Sequence, residues 1–130
     1  MADNLKPAPG TIGWVDLTVP NADVVRDFYQ SVVGWKVENV PMGDYSDYAM
    51  TPPGGGSAVA GVCHASGINA GMPACWMIYV VVKDLDECMA RVEAMGGALH
   101  GEIRGERGKG RFRVVQDPAG AHVCLYEQPD

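Results

Sequence analysis

The sequence lacks the features that place a protein in a membrane or on nucleic acid. None of its apolar runs approaches the roughly 20 residues that a membrane-spanning helix needs. Lys and Arg total 10 against 16 Asp and Glu, and the resulting net charge of −6 repels phosphate groups over most of the surface. The opening stretch MADNLKPAPG has no apolar segment of the kind found in secretory signals. These absences predict a soluble, cytoplasmic protein that binds neither nucleic acid nor membrane.

The sequence also lacks the closely paired cysteines that most structural zinc sites use. Its four cysteines are Cys63, Cys75, Cys88 and Cys124, and none forms a C-x-x-C motif. A chain of 130 residues is long enough to bury a core without disulfides, so we expect reduced thiols and a single domain over residues 1–130.

What the sequence does contain is strand alternation followed by helical periodicity. After an irregular lead-in over residues 1–10, Thr11–Val19 alternates as a half-buried strand does. Asn21 is a suitable N-cap for the next helix, and Gly34 is suited to end it. The apolar stripe of this helix, expected to pack on the sheet, consists of Val24, Val25, Phe28, Tyr29 and Val32. Three strands are predicted next, at Trp35–Val40, Tyr45–Thr51 and Ala58–Cys63.

The same order of elements recurs 63 positions later, where Val82 corresponds to Val19. Trp76–Val82 is an apolar, strand-like run, and Asp84 with Glu87 forms a capping box for a second helix. The repeat predicts a first module at residues 11–64, a small-residue connector at 65–74 and a second module at 75–128. Its last three strands are predicted at Ala98–Ile103, Arg111–Gln116 and Ala121–Glu127.

This repeat has a consequence for the architecture. Each module has one helix, which covers only one face of its sheet, so the other face needs cover from elsewhere. We therefore predict an α+β fold in which two βαβββ modules form a half-open curved sheet or barrel with the helices outside. A cavity is expected on the inner faces.

Four segments carry a resemblance to a known superfamily. The sequence resembles the vicinal oxygen chelate superfamily, which includes glyoxalase I, bleomycin-resistance proteins and extradiol dioxygenases, from Thr11 to Gln128. This resemblance implies the same fold and a homodimer, and it allows for lyases, dioxygenases, isomerases and drug-binding proteins. The segments are DFYQSVVGW (Asp27–Trp35), WMIYVVVKD (Trp76–Asp84), DLDECMARVEAMGG (Asp84–Gly97) and GRFRVVQDPAGAHVCLYE (Gly110–Glu127).

The resemblance also permits a test for the superfamily's metal site. In metal-dependent members the ligands are His, Gln or Glu on the first and last strands of each half. The corresponding positions here are Trp14, Gly61, Met77 and Cys124, of which only Cys124 suits zinc. A one-residue slip is unfavourable because it would turn the apolar residues away from the helices. Those residues are Val15, Leu17, Val19, Ile78, Val80, Val82, Val123 and Leu125. We therefore predict no bound metal and no other cofactor.

The opposite faces of the same strands supply the candidate site. Asp16 and His122 are candidates for a catalytic acid-base pair, although a strand-end carboxylate and a partly exposed histidine explain the same residues. Cys124 is either a nucleophile activated by His122 or a buried, inert thiol. The predicted ligand-binding residues, an aromatic and sulfur-containing set, are Trp14, Thr18, Met77, Tyr79, Cys124 and Tyr126.

Two further features leave alternatives open. The cation-rich segment Arg104–Arg113 is a flap that attracts anionic substrates or, as we favour, a solvated hairpin. His64 and His100 are more typical of surface or core positions than of metal ligands. Our leading hypothesis is a small-molecule-binding protein whose enzymatic activity is open. The alternatives are a metal-dependent lyase or dioxygenase with displaced ligands, drawn from His64, His122 or Asp16, and a non-catalytic interaction module.

Overall fold

The computed structural model describes residues 6–130, except for the side chain of Ile68. Residues 6–10 contain no helix or strand, in agreement with the predicted irregular lead-in, whose first five residues lie outside the described part. The described chain forms two compact units. The first comprises residues 14–76, and the second combines residues 6–13 with 77–130. Neither helix of the described residues is long and apolar enough to cross a membrane.

The first unit contains one helix and a four-stranded mixed sheet. Its elements are β1 (Ile12–Val19), α1 (Ala22–Val32), β2 (Lys36–Pro41), β3 (Ser46–Thr51) and β4 (Ala60–His64). The strand order is β2-β3-β4-β1. β1 and β4 are parallel, whereas the other neighbouring pairs are antiparallel. A 3₁₀ turn at Gly67–Asn69 follows the sheet.

The second unit repeats this arrangement. Its elements are β5 (Trp76–Val82), α2 (Leu85–Ala94), β6 (Ala98–Glu106), β7 (Gly110–Gln116) and β8 (His122–Glu127). The order is β5-β8-β7-β6, with β5 and β8 parallel. Val81 of β5 also exchanges backbone hydrogen bonds with Gly10 and Thr11, at 2.7 and 2.8 Å. Both the α+β class and the twofold βαβββ pattern are confirmed.

The core of the first unit lies between α1 and its sheet. Leu17 and Val19 of β1 are each 7% exposed, and they pack with Met50 and Val62, which are fully buried. Because residues two positions apart share a strand face, this cluster confirms the predicted register of β1. Three half-buried aromatic rings adjoin the cluster, with centroids 5.2–6.0 Å apart: Tyr29, Trp35 and Trp76.

The predicted packing stripe of α1 is only partly correct. Val25 and Tyr29 pack against the core, but Val24, Phe28 and Val32 are 60%, 55% and 64% exposed. These three residues are four positions apart along the helix and lie on one helix face, whereas Val25 and Tyr29 lie on the adjacent face. The apolar surface of α1 is therefore wider than the strip that its sheet covers.

The helix boundaries follow the predicted signals with one exception. The carboxylate of Asp84 accepts a hydrogen bond from the backbone N–H of Glu87 at 3.2 Å, which confirms this half of the capping box of α2. Asn21 occupies the N-cap position of α1 but makes no side-chain hydrogen bond to that helix. Gly34 and Gly96 follow the two helices with φ values of 82° and 90°, conformations that glycine adopts without strain.

Candidate functional site

The most structured part of the candidate site is the face of β1 that carries Trp14 and Asp16. The indole N–H of Trp14 donates a hydrogen bond to Asp16 Oδ1, and both side chains are half-buried. Asp16 pairs across the sheet with Gly61 of β4. A Cβ atom at Gly61 would overlap Asp16 Oδ1 and would lie 3.5 Å from Trp14 Nε1. The absent side chain of Gly61 therefore leaves the space that the Asp16 carboxylate occupies.

Asp47 and Cys63 add polar groups to this unit. The backbone N–H of His64 donates to Asp47 Oδ1 at 2.8 Å, and His64 Nδ1 lies 3.4 Å from the same oxygen. Burial raises the pKa of the Cys63 thiol, and the carboxylates of Asp16 and Asp47 raise it further, so the thiol stays protonated. Sequence reasoning missed Asp47, although a carboxylate in the otherwise uncharged strand β3 was an available signal.

The predicted ligand-binding residues of the second unit share one sheet face. Tyr79 pairs with Cys124 across β5 and β8, and Tyr126 follows two residues later on the same face. Met77 and Cys124 are 1% and 0% exposed, which favours the buried-thiol interpretation of Cys124. Tyr79, His122 and Tyr126 are half-buried and present part of their surface. In the first unit Thr18 is 5% exposed, so it too presents little surface.

The ring of His122 packs against the ring of His100, a contact that the sequence reasoning did not predict. The two rings lie 5.3 Å apart, centroid to centroid, with their planes perpendicular. His122 and its predicted acid-base partner Asp16 belong to different units. The acid-base role of this pair stays a prediction.

The cation-rich segment Arg104–Arg113 forms the β6–β7 hairpin, and its charges are largely committed to ion pairs. Arg111 makes two hydrogen bonds to Glu127, at 2.8 and 3.1 Å, and it also contacts Asp86, which pairs with Arg107. The Arg111 guanidinium lowers the pKa of Glu127 to about 2, and the Leu85 N–H, which donates to Glu127 Oε2 at 2.8 Å, contributes to this shift. These contacts support the solvated-hairpin interpretation for Arg107, whereas Arg111 is buried in its ion pair with Glu127.

A polar cavity of about 540 Å³ lies beside this hairpin in the second unit. Its lining includes the cations Lys6, Lys83 and Arg107 together with the carboxylates of Asp84 and Glu127. With Asp130, which also lines the cavity, three carboxylates match the three cations, and Arg107 is itself paired with Asp86. The lining therefore shows no excess of cations that would select an anionic ligand.

The family follows from a comparison with known proteins. The sequence pattern of the Glyoxalase/Bleomycin resistance protein/Dioxygenase superfamily matches residues 11–125. The chain belongs to this superfamily. The match confirms the resemblance that the strand and helix motifs indicated, and it covers both βαβββ modules of this superfamily member.

Individual curated proteins share about a third of their aligned residues with this superfamily member. It is 31% identical over 119 residues to the Mycobacterium tuberculosis protein named "Putative glyoxylase CFP32", covering 91% of this chain and 46% of that protein. It is 30% identical over 136 residues to the Streptomyces peucetius "Anthracycline biosynthesis protein DnrV", covering 93% of this chain and 48% of that protein. The chain thus spans about half the length of the curated relatives it matches.

Solved structures support the fold. Methylmalonyl-CoA epimerase from Mycobacterium tuberculosis superimposes with a TM-score of 0.53 at 19% identity, covering 100% of this chain and 97% of that one. A variant of the Streptomyces coelicolor epimerase in complex with 2-nitronate-propionyl-CoA gives 0.56 at 14% identity, covering 95% and 100%. At these identities the likeness shows a shared fold and leaves the activity of this superfamily member open.

The residues at the superfamily's metal positions do not fit a divalent ion. The indole N–H of Trp14 is a donor that is already bonded to Asp16, and Gly61 has no side chain. Met77 carries a soft thioether and Cys124 is fully buried. Among residues 6–130, moreover, no three His, Cys, Asp or Glu side chains are grouped so that they could hold a metal.

Proposed function

We propose that this glyoxalase/bleomycin-resistance-like protein binds a small organic molecule without a metal at the superfamily's usual positions. The observation that carries the proposal is the set of Trp14, Asp16 and Gly61. Where catalytic relatives carry metal ligands, this chain has an indole bonded to a carboxylate, and the facing glycine leaves room for that carboxylate. Such a surface offers an aromatic face and a hydrogen-bond acceptor, which are typical parts of a small-molecule site.

The charges of this surface indicate the chemistry of the ligand. Asp16 and Asp47 both act on the thiol of Cys63, which therefore stays protonated and neutral and adds no further negative charge. A flat aromatic molecule with amine or hydroxyl donors suits this surface better than a carboxylate of the same shape. Tyr79 and Tyr126 of the second unit are half-buried, and their proposed contact with a ligand is a separate prediction for that unit.

Relatives lend support of a general kind. One curated relative is named for anthracycline biosynthesis, and a structural neighbour was solved in complex with 2-nitronate-propionyl-CoA. Both names concern organic molecules. The acid-base roles of Asp16 and His122 remain proposals, one in each unit. A homodimer and a cytoplasmic location also remain proposals, and they rest on the resemblance and on composition.

A thermal-shift screen in the presence of EDTA tests this function. We expect aromatic amines or phenols to raise the melting temperature, because a ligand at 100 times its Kd stabilises the folded state by about 2.7 kcal/mol. Matched aromatic carboxylates should give a smaller shift. Trp14→Ala and Asp16→Asn should remove the stabilisation. Phe28→Ala, which removes an aromatic ring 55% exposed on α1, should leave it unchanged.

The screen has three outcomes that contradict the proposal. Stabilisation that persists in Trp14→Ala would place the ligand elsewhere. A ligand effect that disappears in EDTA and returns with added metal would favour the alternative, a metal-dependent lyase or dioxygenase with displaced ligands. If no compound stabilises the protein, a non-catalytic interaction module becomes the better hypothesis, and the exposed residues Val24, Phe28 and Val32 are its candidate contact surface.

A further inference from the structure

His100 and His122 approach each other although they come from strands that are not neighbours. His100 of β6 pairs with Val114 of β7, and His122 of β8 pairs with Gln116 of β7. Val114 and Gln116 are two residues apart and share a face, so both histidines project from that face and lean over β7. Their rings, which are half-buried, lie 5.3 Å apart and are perpendicular.

The backbone that follows His100 departs from regular strand pairing, and a hydrogen bond from Arg113 holds it in place. Between His100 and Arg104, β6 advances four residues while β7 advances two, from Val114 to Phe112. Gly101 within this irregularity has a φ of 64°, and its carbonyl oxygen accepts a hydrogen bond from the Arg113 guanidinium. Irregularities of this kind re-aim side chains and are common beside functional sites. In this chain the irregularity begins immediately after His100, at Gly101, whose carbonyl oxygen is hydrogen-bonded to Arg113.

The separation of the two rings suits joint coordination of one ion. With a Zn–N bond of about 2.0–2.1 Å, each imidazole centroid lies about 3.2 Å from the metal, and two rings at a tetrahedral angle have centroids about 5.2 Å apart. The observed 5.3 Å between His100 and His122 is close to this value, and it is equally an ordinary edge-to-face ring contact, so the metal titration decides between the two. Each imidazole has two ring nitrogens, so one nitrogen is able to bind metal while the other keeps a hydrogen bond.

We propose that His100 and His122 form a two-histidine site for a borderline divalent transition metal such as Zn²⁺. Imidazole is a preferred ligand of such ions. Because the described residues contain no group of three or more protein ligands, the remaining coordination positions belong to water. The site is distinct from the superfamily's four positions. It is also independent of the proposed binding of an organic molecule, since its test uses the metal alone.

The test is a titration of metal-stripped protein with Zn²⁺, followed by calorimetry and by NMR of the histidine side chains. We expect one ion per chain, with changes confined to the resonances of His100 and His122. His100→Gln and His122→Gln should each weaken binding by more than the roughly 10–100-fold that follows loss of an outer-shell partner. The double variant should bind little more weakly than either single variant, because one imidazole alone no longer chelates.

His64→Gln is the matched control, since it removes the third histidine, which is also half-buried and lies in the first unit. We expect it to bind Zn²⁺ as the unchanged protein does. Circular dichroism melts without metal establish that all variants are folded before titration. The proposal is wrong if the unchanged protein binds no Zn²⁺, or if His100→Gln and His122→Gln both keep its affinity. Loss of organic-ligand binding would not affect this result, so the two proposals fail separately.

Discussion

Replacing Glu127 with alanine should lower the free energy of unfolding by about 3–5 kcal/mol, because it leaves a buried guanidinium with only the half-exposed Asp86 as counter-ion. The side chains of Arg111 and Glu127 are 7% and 11% exposed, and two hydrogen bonds join them. Glu127 also accepts the backbone N–H of Leu85, the first residue of α2. The substitution therefore breaks an ion pair and removes an acceptor from the start of the helix. Urea denaturation followed by circular dichroism measures the loss.

Two further variants identify the cause of this loss. Glu87→Ala removes the exposed partner of Arg91 and should cost no more than about 0.5 kcal/mol, as is usual for surface pairs one helical turn apart. The double variant Arg111→Met, Glu127→Leu should recover much of the stability, since apolar residues of similar volume often replace a buried pair without cost. A single Glu127→Ala variant as stable as Glu87→Ala would contradict the prediction.

The same pair predicts how stability depends on pH. The pKa of Glu127 is lowered from 4.5 to about 2, chiefly by the hydrogen bonds from Arg111, so the folded protein binds this proton less readily than the unfolded chain. The stabilisation is therefore complete above the unfolded pKa and is lost as the pH falls from there through about 2. Acid titration of the unfolding free energy should show this loss in the unchanged protein. The Glu127→Ala variant should show a weaker dependence in that range.

The sequence was sufficient to predict the elements because their signals are local. The signals for β1 and for the Asp84 cap each involve only a few neighbouring residues, and the structure shows both elements, although the burial of β1 increases along the strand and does not alternate. The predicted packing stripe of α1 included too many residues. Helical periodicity shows which residues are apolar, but it does not show how much of the apolar surface the sheet covers. Val24 and Phe28 fit the helical period as well as Val25 does, yet they remain exposed.

The polar sites were harder to predict, since they depend on which strands become neighbours. His100 and His122 are 22 residues apart, and they meet only because β7 lies between β6 and β8 with a particular register. Asp47 and His64 meet because β3 pairs with β4. Gly61 was recognised as unable to bind a metal, but its role in making room for Asp16 required the parallel pairing of β1 with β4.

A second large effect is expected from Gly105→Ala in the β6–β7 hairpin. Gly105 has a φ of 90°, where an alanine is strained by about 1–2 kcal/mol. Its Cβ would also lie 2.9 Å from Arg111 Cα and closer still to the Gly110 carbonyl oxygen. Both neighbours are backbone atoms of the paired strand, so no side-chain rotation relieves the contact. Overpacking of this kind adds about 1–3 kcal/mol, and we expect a total loss of about 2–5 kcal/mol.

Gly120→Ala separates the backbone strain from the overpacking, because Gly120 has a φ of 86° but no atom within 4 Å of a built Cβ. This control should show the conformational cost alone, about 1–2 kcal/mol in the same denaturation experiment. Gly105 pairs with Arg111, so an opened hairpin also displaces the guanidinium from Glu127. Gly105→Ala should therefore weaken the acid dependence that Glu127 confers, while Gly120→Ala keeps it. Equal losses in the two variants would mean that the hairpin absorbs the extra carbon without opening.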